Sequence, residues 1–134
     1  MTVIAGIDIQ DIEEVNDSLS HFGDRYLRRI YSDLEVDECS SNERPLAEGL
    51  AARFAAKEAV IKALQPNDHI PSWRTIEILL QSPDGPKIVL HGEAKELANA
   101  VGVGTMSLSV SVAPYYAIAA VVATVVGPIA PSDD

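Results

Sequence analysis

From Met106 the chain alternates without interruption: Met106, Leu108, Val110 and Val112 fall on one side, and Ser107, Ser109 and Ser111 on the other. A period of two sends successive side chains to opposite faces of a sheet, so this segment predicts a half-buried strand. Ala113-Pro114 turns the chain into Tyr115 to Val126, where the apolar run Ala117 to Ala123 predicts a buried strand and closes a hairpin. That run is well short of the ~20 residues a helix needs to cross a bilayer. Val3 to Ile9 (VIAGIDI) predicts a further core strand, with close backbone approach at Gly6. Thr75 to Leu80 and Lys87 to Leu90 predict a second hairpin, joined through the turn-forming Ser82-Pro-Asp-Gly-Pro86.

Between these strands the period lengthens. Ile12 to Leu19 and His21 to Ile30 predict helices whose charges run from acidic to basic, and Ser32-Asp-Leu-Glu35 has the form of a helix N-cap with a carboxylate at N3. Leu46 to Leu64 is the strongest helical segment, ended by Pro66. On its wheel Leu46, Leu50, Phe54, Ile61 and Leu64 form one apolar stripe. Lys57 projects into that stripe, and Glu58 with Lys62 lies beyond its margin. Gly92 to Ala100 predicts a short amphipathic helix. The fold class expected is therefore α+β, a long central helix packed on a mostly antiparallel sheet.

Length and composition fit that expectation. The chain has 134 residues, 47% of them apolar and 22% charged, which suits one domain over residues 1–126 with a flexible acidic tail at 127–134. Twenty acids against ten bases give a net charge of -10, which argues against nucleic acid or an anionic membrane as partner. The single cysteine, Cys39, closes no intramolecular disulfide, and the amino terminus carries no basic, then apolar, leader, so a cytoplasmic location is expected. Cys39 stands in an acidic helix end that raises its pKa. The three histidines have no zinc-ligand spacing, and the serine row Ser107, Ser109 and Ser111 reads as a polar strand face.

Two acids are out of place. Asp8, between Ile7 and Ile9, must face solvent or hold a partner, because an unpaired buried carboxylate is costly. Glu58 neighbours Lys57 and stands four residues before Lys62, where the plainest reading is a surface ion pair. The alternative joins Asp8 and Glu58 around a hard divalent cation: magnesium takes one or two protein carboxylates and leaves its other positions to water and phosphate.

Gly6-Ile-Asp-Ile9, Arg29-Ile-Tyr-Ser-Asp-Leu-Glu35 and above all Ala51 to Leu64 (AARFAAKEAVIKAL) resemble holo-acyl-carrier-protein synthase, the small type of 4'-phosphopantetheinyl transferase. The likeness continues through Ile76-Glu-Ile78, Asp84-Gly-Pro86 and Ser109 to Val121. It implies transfer of 4'-phosphopantetheine from coenzyme A to a serine of an apo acyl carrier protein, in fatty acid biosynthesis, by a homotrimer with sites between subunits. By the same resemblance Asp8 and Glu58 hold magnesium, and Glu58 and Lys62 are catalytic. Arg53 and Lys57 take coenzyme A phosphates, and Gly85 and Pro86 form a turn against the nucleotide. Three positions depart from the family. Val112 stands where its final S-x-S-H motif has histidine, and Gln65 to His69 replaces a glycine-rich stretch. Asp11, Glu13, Glu14 and Asp17 occupy a first helix that usually offers arginines to an acidic carrier. Arg25, Arg28 and Arg29 are the basic cluster left for that carrier, or else a solvated helix face. These departures keep two alternatives open: an enzyme of this fold that no longer uses coenzyme A and acts on a carrier-tethered chain in a polyketide-type pathway, and a non-catalytic binding module.

Overall fold

A computed structural model describes residues 2–41 and 43–126; the tail expected at 127–134 lies outside the described residues. The chain runs β1 (Thr2–Asp11), α1 (Ile12–Phe22), α2 (Asp24–Ile30), α3 (Asp33–Ser40), α4 (Leu46–Leu64), a 3-10 turn (Trp73–Thr75), β2 (Ile76–Leu79), β3 (Lys87–Leu90), α5 (Gly92–Val101), β4 (Val103–Val112) and β5 (Tyr116–Val125). The α+β class stands. Its strands divide between two sheets, a three-stranded antiparallel sheet ordered β1-β5-β4 and the separate hairpin β2-β3.

Local chemistry sets the boundaries. Asp11 ends β1 and caps α1 by accepting from the amides of Glu13 and Glu14. Gly23, at φ 52, breaks what would otherwise be one long helix into α1 and α2. Ser32 and Glu35 form a capping box on α3, as their spacing predicts. Helix α4 ends on Gln65 in the left-handed region, before Pro66.

The alternation along β4 and β5 places Leu108 and Val110 with Ala119, Val121 and Ala123 on the inner face, against α4. Gly6 permits this contact. A Cβ at that position would lie 2.0 Å from the Ala59 carbonyl oxygen and 2.7 Å from the Ala63 amide, so β1 reaches the α4 backbone only because position 6 has no side chain. The apolar stripe expected on α4 understates its surroundings. The helix is buried on nearly every side, and its alanines let the sheet, α1, α3 and β2 crowd around it. Two of its buried side chains, Arg53 and Lys57, are charged.

Candidate functional site

A buried ammonium requires acceptors. Lys57 and Glu35 are both fully buried and form an ion pair at 2.8 Å. The Lys57 ammonium also donates to the Trp73 carbonyl at 2.9 Å and to the Ile76 carbonyl, so all three of its N–H groups are committed inside the protein. Burial lowers its pKa, and Glu35 opposes that shift. Glu35 Oε1 also accepts from the Ser32 amide, and Oε2 from the Ile78 amide. The resemblance gave Lys57 a coenzyme A phosphate; here its acceptors are internal. Lys57 is an internal tie between α3, α4 and β2, with no donor left for a coenzyme A phosphate.

Arg53 is nearly as buried. Its Nη2 pairs with Glu38 Oε1 at 2.6 Å and its Nη1 donates to the Gly49 carbonyl, while Nε is buried and without a partner among the described residues. Glu38 reaches onward to the amides of Leu80 and Gln81. Beside Arg53 lies a cavity of about 200 Å³, lined also by Arg44, Gln81, Val110 and Val112.

Asp8 and Lys62 meet. On β1, Asp8 points to the same face as Gly6, toward α4, and Lys62 Nζ lies 2.8 Å from Asp8 Oδ1 and 3.1 Å from the Ile7 carbonyl. Gln10 Nε2 donates to Asp8 Oδ2 at 2.6 Å. Lys62 therefore pairs across to β1, where the plain sequence reading paired it along the helix with Glu58. Glu58, one turn earlier on α4, accepts from the indole N–H of Trp73 at 3.0 Å, through Oε1. Its Oε2 makes no hydrogen bond among the described residues. Asp8, Lys62 and Glu58 thus border one stretch of α4. Two carboxylates on neighbouring elements are a donor set that suits a hard cation, which keeps water and phosphate in its remaining positions. Among the described residues no three of His, Cys, Asp and Glu gather into a protein-only metal cage.

Next to this group is a groove of about 420 Å³ lined by Gln10, Phe22, Arg25, Arg29, Phe54 and Trp73, among others. Arg25 and Arg29 of the expected basic cluster border it. Arg28 instead makes an exposed pair with Asp24 at 3.4 Å. Gly85, at φ +96, and Pro86 lie in the turn between β2 and β3. That turn projects from the end of the hairpin where Leu80 and Gln81 bind Glu38, the Arg53 side, and away from Trp73.

Glu35, Glu38 and Trp73 were not foreseen in these roles. A lysine in an apolar stripe signals that an acid must be buried opposite it, but spacing assigned Glu35 only to capping. The lone tryptophan carried no signal of its own.

The chain matches the family model of the 4'-phosphopantetheinyl transferase superfamily over residues 5–120. It is 43% identical over 115 residues to the holo-[acyl-carrier-protein] synthase of Moorella thermoacetica, covering 86% of this chain and 88% of the relative. To that of Koribacter versatilis it is 37% identical over 123 residues, covering 91% and 98%. Among solved structures, the ACPS-CoA complex of Chronobacterium ammoniagenes superposes with a TM-score of 0.78 at 28% identity, covering 92% of this chain and 97% of that one. The Helicobacter pylori holo-[acyl-carrier-protein] synthase in complex with coenzyme A gives 0.76 at 32% identity, covering 90% and 100%.

Proposed function

Because the chain belongs to the 4'-phosphopantetheinyl transferase superfamily, we propose that it is a holo-acyl-carrier-protein synthase, which moves 4'-phosphopantetheine from coenzyme A to a serine hydroxyl of an apo acyl carrier protein and releases 3',5'-ADP. The observation that carries this reading is the meeting of Asp8 with Lys62 one helical turn from Glu58, beside an arginine-bordered groove. In the reaction the serine oxygen bonds to the phosphorus bearing the pantetheine arm, and the P–O bond to 3',5'-ADP breaks. The serine proton needs an acceptor and the departing phosphate needs positive charge.

Glu58 is suited to the first task, since Oε1 is held by Trp73 while Oε2 is left to accept. Lys62 is suited to the second: its side chain is 54% exposed, and its ammonium leans on Asp8 from the solvent side. Asp8 and Glu58 are the residues that would hold magnesium, which supplies neutralisation of the pyrophosphate charge when bound. Arg53, beside the cavity it shares with Arg44, is the candidate for a further coenzyme A phosphate. Gly85 and Pro86 are the candidate nucleotide-side turn, open because no atom lies within 4 Å of a Cβ built on Gly85. The groove bordered by Arg25 and Arg29 is where an acidic carrier finds positive charge despite the net charge of -10. The same reading makes the protein a homotrimer that serves fatty acid synthesis in the cytoplasm. The exposed Val3, Ile7 and Ile9 of β1 and Ile118 and Val122 of β5, on the sheet face turned away from α4, support the assembly.

Incubation with coenzyme A, magnesium and a panel of apo carrier proteins tests this reading. Mass spectrometry should find one phosphopantetheine added to at least one carrier, and no addition to any of them refutes it. Asp8→Ala and Glu58→Ala should each abolish magnesium-dependent transfer while leaving the thermal transition in place. A variant that retains its rate removes that residue from the metal site.

A further inference from the structure

Trp73 is the only tryptophan of the chain, and contacts with four residues fix it. Its carbonyl accepts from the buried Lys57 ammonium at 2.9 Å, and that ammonium is itself held by Glu35. Its ring packs edge-on against Phe54, centroids 5.5 Å apart, with the Arg29 guanidinium 5.7 Å from the ring centre. Its indole N–H, a lone donor with no acceptor capacity, is spent on Glu58 Oε1 at 3.0 Å. The terminal torsion of a glutamate is otherwise broad, and a charge-assisted bond from a fixed donor removes that freedom.

We propose that Trp73 is a positioning residue for the transfer reaction: its indole N–H holds Oε1 of Glu58 so that Oε2 is presented, already oriented, to the cation and the incoming serine. The ring carries out this task because its backbone is tied through Lys57 and Glu35 to the interior, while its face forms a wall of the groove. This rests on Glu58 being a carboxylate of the site, as read above. Outer partners of metal-binding carboxylates are typically worth roughly 10- to 100-fold in metal affinity or activity.

Trp73→Phe keeps an aromatic ring beside Phe54 and removes the donor together with the five-membered ring that carries it. The magnesium concentration giving half-maximal transfer should rise roughly tenfold or more, in a variant that keeps a cooperative thermal transition. An unchanged magnesium midpoint overturns the proposal. A second readout needs no turnover. Trp73 fluorescence should shift on adding magnesium with coenzyme A to the parent protein, and in Glu58→Ala the unliganded emission should already differ. Emission indifferent to both changes also overturns it. Should Glu58→Ala transfer at the parental rate, the site reading itself fails, and that outcome is separate from a silent Trp73→Phe in a protein that still needs Glu58.

Discussion

At the scale of single residues, burial decides which charged or nucleophilic groups are available. Cys39 is 4% exposed and its thiol is pushed up to about 11, first by burial, with Glu35 and Glu38 adding to the shift and Arg53 opposing it. The acidic surroundings visible in the sequence gave the correct direction, but the larger cause is burial, which spacing does not reveal. At pH 8 only about one folded thiol in a thousand is ionised, against roughly a fifth to a quarter of unfolded ones. Iodoacetamide at pH 8 should therefore label the native protein at least ~100-fold more slowly than the protein in denaturant, and equal rates would remove Cys39 from the core. The same distinction separates two lysines that look alike in AAKEAVIKAL. Lys57 is fully buried and Lys62 is half exposed, so of the two only Lys62 offers its ammonium to solvent. That Asp8 and Lys57 were unusual was legible from the pattern. Their partners, Lys62 and Glu35, were not, because both contacts join elements far apart in sequence.

At the scale of elements, the alternation and the caps made every helix and strand legible, and what escaped was how they surround α4. The Glu35–Lys57 pair ties three elements at once, through Lys57 on α4, Glu35 on α3 and the backbone of β2 at Ile76 and Ile78. Breaking such a pair leaves a buried charge without its counter-charge, at a cost of about 3–5 kcal/mol, whereas replacing both members by apolar residues is far less costly. Chemical denaturation should therefore find Lys57→Met and Glu35→Leu each strongly destabilised, and the double variant more stable than the sum of the two losses. Additive losses would mean that the two side chains do not act as a unit. The predicted single sheet became two for a related reason. The hairpin β2-β3 packs on α4 beside β4 as a sheet of its own, and a helix buried on nearly every side needs cover from more than one element.

At the scale of the whole molecule, the larger sheet has one face against α4 and one face uncovered in the single chain. On that outer face Val3, Ile7 and Ile9 of β1, exposed by 57%, 64% and 57%, stand beside Ile118 and Val122 of β5. The serines of β4 continue the surface, Ser107 opposite Val122 and Ser111 opposite Ile118. A chain with a net charge of -10 has charge enough to place here, yet this face carries none beyond its rim. Contiguous apolar surface of this kind is typical of faces that meet another protein, a membrane or a ligand. Nothing in the alternation said what covers it; the trimer came from the family resemblance alone. If copies of the chain meet on this face, Val122→Asp places a carboxylate in the middle of the contact, on the sheet face opposite Asp8 and with Ala5 as its neighbour. Sedimentation equilibrium should give about three times the chain mass for the parent protein and about one for the variant, with helix content unchanged. Transfer activity should fall with the assembly if the site is shared between subunits. A parent protein that sediments as a monomer at micromolar concentration, or a Val122→Asp variant that assembles as the parent does, would assign the face to some other partner and leave Asp8, Glu58 and Lys62 to act within one chain.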